Sequence, residues 1–304
     1  LGGYLSDYLL SNDYLVRRIQ REKSLDSFQV KNIDASTDWQ DALRGVDVLI
    51  HCASRVHIMK SSKEDSINLY RSINVEGTKR LAEQAASLGV KRLIFISSSK
   101  ANGESTKIDE FLTNQSPLRP IDPYGISKLE AENALQEVSL RTGLELVIIR
   151  PPLIYGPKVK ANFLRLLKLV YYGVPLPFAK VDNLRSLLYI GNLADFIVKC
   201  INSPKAIGKT FLLSDLRPIA TPELIRKIAK EFKKEVKLFS VSPKLILFAS
   251  NLIGKGDQAK KLMGSFLIDP NYCMEELNWQ HPFTTDQGLN QTCIWFLNHL
   301  NRKQ

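Results

Sequence analysis

The residues that build metal sites and disulfide frameworks are scarce in this sequence. Only 4 of its 304 residues are cysteine and 4 are histidine. Cys52, Cys200, Cys273 and Cys293 stand far apart, with no Cys-x-x-Cys pair and no metal-ligand spacing. Neither a zinc module nor a disulfide-stapled domain is expected, and no metal. Thiols without a framework fit a reducing cytoplasm. No uninterrupted apolar run is long enough to span a bilayer, and no stretch resembles a signal peptide. Pro243 to Gly254, flanked by Lys244 and Lys255, reads as a helix packed on its own domain, with contact to a membrane surface as the alternative. Acids are also in deficit: 31 Asp and Glu against 42 Lys and Arg leave a formal charge of +11. The basic residues are dispersed and no recognition motif accompanies them, which argues against nucleic acid. The excess suits either a Lys-rich solvated surface or the steering of an anionic ligand.

What is present alternates strand and helix with the period of βαβ units, so a parallel sheet is expected. Gly3 to Leu10 reads as helix, Leu15 to Ile19 and Phe28 to Ile33 as strands, and Asp38-Trp39 as the start of a short helix before a strand at Val46. Helices are predicted at Asn74 to Leu88 and Tyr124 to Thr142, with buried strands at Leu93 and Leu146. Thr221-Pro222-Glu223 is a helix start, with a hydroxyl cap, an early proline and an acid in the first turn. The length suits a nucleotide-binding domain over residues 1–157, to which 185–215 return, with 158–304 mainly a substrate-binding domain.

The chemistry concentrates in Pro123-Tyr124-Gly125-Ile126-Ser127-Lys128. A Tyr and a Lys four apart share one helix face. A free phenol, with a pKa of about 10, is a poor proton carrier at neutral pH, and a neighbouring ammonium is expected to lower that value and make it a usable acid or base. Ser98, at the end of the strand-like run Arg92 to Ser98, supplies a hydroxyl from another element. Gly45 to Ser54 is a short apolar strand running into small residues, where a backbone can approach a ligand. Leu146 to Pro157 is a buried strand broken by prolines.

These segments, with Asn74-Val75-Glu76-Gly77-Thr78 and the later Leu277-Asn278-Trp279, Gly288-Leu289 and Trp295, resemble the extended short-chain dehydrogenases, the nucleotide-sugar epimerase/dehydratase family, in order and over nearly the whole chain. Ser97 to Glu104 and Val159 to Phe178 are similar to its bacterial surface-polysaccharide subgroup, UDP-glucose 4-epimerase-like proteins and 4-keto-sugar reductases. The resemblance implies an α/β fold: a Rossmann-type doubly wound parallel sheet with a smaller C-terminal substrate domain. It implies catalysis by Ser98, Tyr124 and Lys128. It places cofactor contacts at Gly2, Arg21, Asn32, Ile33, Ala53, Ser54, Asn74, Tyr124, Lys128, Pro151 and Ile154. Asn162 and Arg185 fall where the family holds a UDP-sugar diphosphate, and the helices at Asn74 and Tyr124 form its usual homodimer face.

Departures sharpen the expectation. The family's opening strand and Gly-x-x-Gly-x-x-Gly turn are matched only at the third glycine, Gly2. The first strand is therefore expected to be missing, as in a shortened chain or gene fragment, with a damaged sheet and poor cofactor binding. At the end of the second strand, where an acid selects NAD, stand Gln20 and then Arg21, which leans towards NADP. Dehydratases carry Asp-Glu where this chain has Ser99 and Lys100, so dehydration is disfavoured. Asn102 replaces a Tyr usual in hexose epimerases. Hydride transfer at C4 of a UDP-sugar, as epimerase or 4-keto reductase, leads. A reductase of a steroid-like ketone and a catalytically silent nucleotide binder are the alternatives.

Overall fold

A computed structural model describes residues 1–21, 27–56, 63–252, 254 and 256–301. The strands are β1 (Arg18–Gln20), β2 (Ser27–Gln29), β3 (Val48–His51), β4 (Arg92–Ile96), β5 (Phe111–Leu112), β6 (Glu145–Arg150), β7 (Leu153–Tyr155), β8 (Leu187–Tyr189), β9 (Thr210–Leu212) and β10 (Leu267–Ile268). The α-helices are α1 (Gly2–Leu10), α2 (Gln40–Leu43), α3 (Lys63–Tyr70), α4 (Gly77–Ser87), α5 (Pro123–Thr142), α6 (Ala161–Tyr171), α7 (Ile190–Asn202), α8 (Thr221–Glu231), α9 (Pro243–Leu252), α10 (Gly256–Met263), α11 (Asn271–Leu277) and α12 (Thr285–Asn301).

The central sheet has the order β3-β4-β6-β9, all parallel, and β1-β2 form a separate parallel ladder. Side chains alternate across a strand, so a sheet covered on both faces must be apolar at every position. β4 satisfies this. Leu93 and Phe95 join the core built with α4 and α5, whereas Ile94 and Ile96 join the core built with α1, α7 and α11. Val147 and Ile149 of β6 turn to the second core, Leu146 and Ile148 to the first. This is the doubly wound architecture expected. A third core joins α6, α8 and α12, where Tyr171, Phe232 and Phe296 meet ring to ring.

Several boundaries differ from the sequence reading. The ladder of the first two strands begins later at one and ends earlier at the other, since Leu15 points into solvent. Asn74 does not open a helix. It lies in a π-helical segment, Arg71–Glu76, between α3 and α4, because the helix starts upstream in the polar run Lys63–Tyr70, which carries little apolar periodicity. Thr221 does not cap α8: Ala220 holds the cap position and the Thr221 hydroxyl donates to the Leu262 carbonyl at 3.1 Å. α9 packs against α10 and buries Ile246, while Leu245, Phe248 and Leu252 stay exposed. Ile253 and Lys255 of that stretch lie outside the described residues.

A buried ion pair fastens α5 to β6. Glu132 accepts from Arg150 Nε at 3.0 Å, and the Ser97 hydroxyl donates to the same carboxylate. Arg150 also donates to Asn102 Oδ1 at 3.3 Å, so Asn102 serves the framework. A buried charge stripped of its partner costs roughly 3–5 kcal/mol. Arg150→Leu should lower stability by that amount in urea unfolding. Replacing both partners, as Glu132→Gln with Arg150→Met, should cost clearly less.

Candidate active site

In a parallel sheet every strand delivers its carboxyl end to the same edge, where ligands of open α/β sheets bind. Ser54 follows β3, Ser98 follows β4 and Pro151 follows β6, so three expected site residues share that edge. The amino end of α1 arrives there too, since Leu1 and Tyr4 pack with Ile50 and Cys52 at the end of β3. A side chain at Gly2 would meet no protein atom. Packing therefore does not demand the glycine, and helix amino termini favour a ligand phosphate.

Helix α5 brings in the tyrosine. Asp122 caps it, accepting from Gly125 N at 2.7 Å, and Pro123 fills the first turn. A Cβ on Gly125 would lie 2.8 Å from the Lys100 carbonyl. Only glycine lets the first turn of α5 press against the loop after β4, and that contact carries Tyr124 to Ser98. The hydroxyls of Ser54 and Ser98 both act on the phenol of Tyr124 and favour its ionised form. The ring meets Tyr70 edge-on at 6.0 Å, and the Lys100 ammonium lies 5.7 Å from its centroid. Lys100 is in turn bonded to Asp122 and lies 3.5 Å from Glu104.

The expected electrostatics of the pair are reversed. Lys128 does not act on the phenol. Its ammonium donates to the Ile96 carbonyl at 2.8 Å and lies 3.8 Å from the Phe95 ring centroid, beneath the end of β4. Burial pushes the Lys128 pKa down to about 7, against the pull of Glu132. Burial also raises the phenol of Tyr124 above its ordinary range, with the Ser54 hydrogen bond pulling the other way and the Asp122 charge adding to the rise. His51 beside this ammonium is held neutral, pushed down to about 3 by burial first and Lys128 second, and bonds Thr78 Oγ1 at 3.0 Å.

The remaining expected residues are placed as follows. Asn74 has both amide ends engaged: it accepts from Arg55 N at 2.8 Å and donates to Arg55 O and Ser127 Oγ. It holds the loop after β3 against α5. Ala53, Arg21 and Asn32 are exposed, Ile33 and Ile154 are half-buried, and the Pro151 carbonyl accepts from Ser99 N at 3.0 Å. Arg185 is turned inward, Nη1 donating to the carbonyls of Lys261 at 2.6 Å and Gly264 at 2.8 Å, so that it caps the end of α10. Asn162 is exposed in the first turn of α6. Among the described residues no hydrogen bond or ion pair ties Asn162 or Arg185 to the Tyr124 cluster. The sequence reading overlooked Asp122, Lys100 and Glu132 as partners of the site. The Asp-Pro start of α5, and Glu132 one turn beyond Lys128, were the available signals.

The family model described as "NAD dependent epimerase/dehydratase family" matches residues 1–213. A Vibrio cholerae protein named UDP-glucose 4-epimerase is 41% identical, over 96% of this chain and 91% of that protein. An Escherichia coli O157:H7 protein named N-acetyl-alpha-D-glucosaminyl-diphospho-ditrans,octacis-undecaprenol 4-epimerase is 23% identical, over 99% and 94%. Among solved structures, UDP-glucuronic acid 4-epimerase from Bacillus cereus in complex with NAD superimposes with a TM-score of 0.79 at 19% identity, over 98% of this chain and 95% of that one, a likeness of fold.

A lysine depressed to about 7 from an ordinary 10.5 has a defined effect on stability. Below that window both states hold the proton. Within it the unfolded chain binds a proton that the native chain does not, so stability rises with pH, by up to about 1.4 kcal/mol per unit. Urea unfolding across the window should show the wild type gaining stability relative to Lys128→Met as pH rises. A parallel pair of curves contradicts a buried, depressed Lys128.

Proposed function

The chain belongs to the NAD dependent epimerase/dehydratase family, and on that premise we propose that it is an enzyme inverting C4 of a UDP-sugar. The observation that carries this reading is the hydroxyl cluster Ser54–Tyr124–Ser98 at the carboxyl edge of the sheet, with Lys128 buried beneath it. The family's cofactor is NAD. The open amino end of α1 at Gly2 suits its pyrophosphate, with Ala53, Ser54 and Pro151 on the same edge, and Lys128 is the nearby cation for its nicotinamide ribose. When bound there, NAD would supply reversible hydride transfer at C4 of the sugar.

The chain's own residues handle the proton. Ser98 bonds the C4 oxygen and holds it against the phenol of Tyr124. Acting from its ionised form, the Tyr124 oxygen would take the hydroxyl proton as the C4 carbon–hydrogen bond breaks, and the resulting phenol would return it as that bond re-forms. Tyr124, Ser98 and Ser54 are each half-buried, and Ser54 favours the phenolate while the proton is absent. Ser99 and Lys100 supply no carboxylate pair, which sets the reaction apart from dehydration.

Arg185 is read as a contact to the UDP diphosphate through N–H groups beyond the Nη1 that caps α10, with Asn162 from α6. Residues 1–157 with 185–215 are assigned to the cofactor and 158–304 mainly to the substrate. The surface of α4 and α5 is assigned to a homodimer, and the cytoplasm is the setting. A second substrate class is a sugar on a lipid diphosphate, as in the name of the Escherichia coli relative. The exposed apolar face of α9 favours it. No observation favours a steroid-like ketone or a catalytically silent chain.

Two assays follow. Protein supplied with NAD and UDP-glucose should form the C4 epimer without consuming reductant, and Tyr124→Phe should lose about two to four orders of magnitude in kcat with its fold intact. Near-normal turnover by that variant contradicts the mechanism; consumption of NADPH on a 4-keto sugar instead makes it a reductase. An NADP preference rests on Arg21, exposed at the end of β1. If it holds, competitive titration should show tighter NADP binding, with Arg21→Ala losing about tenfold, the scale of one charged hydrogen bond. Tighter NAD binding by the wild type removes it.

A further inference from the structure

Helix α9 presents the wrong face to water. Leu245, Phe248 and Leu252 are 58, 63 and 74% exposed, and Ile246 is its buried contact. At 3.6 residues per turn the three exposed side chains lie within about 60° of one another, so they form one stripe. Phe239, shortly before the helix, is 47% exposed as well. A solvated helix normally carries charge there. Contiguous apolar surface of this kind marks an interaction site.

The surrounding charge points to the occupant. Between Glu235 and Asp257 the sequence contains no acid, and it contains Lys237, Lys244 and Lys255. Over residues 233–261 there are seven lysines against those two acids, so +5 of the formal +11 belongs to this one stretch. Lys237 and Lys244 are exposed, and Lys244 immediately precedes Leu245. A further protein subunit would ask for acids to match these lysines, and a second copy of this chain brings the same cations. A short helix with aromatic and aliphatic residues on one face, flanked by lysines, fits the boundary of an anionic bilayer, where apolar burial and attraction to lipid headgroups add. No helix among the described residues is long and apolar enough to cross a membrane, so contact is confined to the surface.

We infer that α9 is a docking surface for the face of an anionic lipid bilayer, through Leu245, Phe248 and Leu252 with the flanking lysines. The inference stands on this surface alone, so its failure leaves the UDP-sugar reading untouched and removes only the support that α9 lends to a lipid-linked sugar. The test is co-sedimentation of the whole chain with vesicles of phosphatidylglycerol and phosphatidylcholine, against vesicles of phosphatidylcholine alone. The wild type should sediment with the anionic vesicles, and release as salt rises. The triple variant Leu245→Ser, Phe248→Ser, Leu252→Ser should bind at least tenfold more weakly, and so should Lys237→Glu with Lys244→Glu, a change confined to exposed charge. Turnover of a soluble UDP-sugar should be unchanged in both. No binding by the wild type, equal binding to the neutral vesicles, or equal binding by both variants overturns the inference. So does a drop in the solution mass of the protein on introducing the triple variant, which makes the stripe a contact between copies.

Discussion

An ammonium sealed beneath the end of β4 organises this protein. Lys128 is 1% exposed, and an unpaired buried charge costs several kcal/mol. The chain meets that demand with the Ile96 carbonyl, the face of Phe95 and the carboxylate of Glu132 one helical turn away. Ile96 and Phe95 belong to β4 and Glu132 to α5 itself, so satisfying one charge fixes the height of α5 against the sheet. Glu132 passes the constraint on to Arg150 of β6 and to Ser97. Ser98 is the next residue, and Tyr124 lies one turn before Lys128. The reacting hydroxyls are therefore positioned by a network that lies mostly below them.

The first turn of α5 is the second half of the same design. Asp122 does two things with one carboxylate: one oxygen caps the helix through Gly125, the other holds Lys100 over the Tyr124 ring. Lys100 and Glu104 continue to Lys261 on α10, 2.8 Å from Glu104, so the catalytic loop is joined by charge to the half of the chain assigned to the substrate. Partly exposed pairs of this kind contribute little stability each. Their value is geometric, since they connect the two sides of the site.

Much of this was legible in the sequence because it is local. The helix from Tyr124 to Thr142, the Tyr124–Lys128 spacing and the apolar run ending in Ile96 each act over a few residues, and each is found where it was expected. What escaped depends on tertiary partners. The direction of Lys128 cannot be read from its spacing to Tyr124, because the carbonyl it chooses belongs to β4. Ser54 pairs with the phenol only because parallel β3 and β4 end at one edge. Arg185 looked like a free phosphate ligand in register, and its carbonyl partners lie far along the chain at Lys261 and Gly264. The π-helical segment at Asn74 was missed because the helix begins in a run too polar to advertise itself.

Isotope tracing at the reacting carbon bears on the whole chain of inference, from the placement of Ser98 and Tyr124 to inversion at C4. UDP-glucose carrying deuterium at C4 would be incubated with the protein and NAD in ordinary water, and the epimer examined by mass spectrometry and NMR. If a sheltered phenol moves only the oxygen-bound proton while the carbon-bound hydrogen is handed over and given back, the label is retained at C4 of the inverted sugar. Loss of the deuterium to solvent, or recovery of the sugar without inversion, contradicts it.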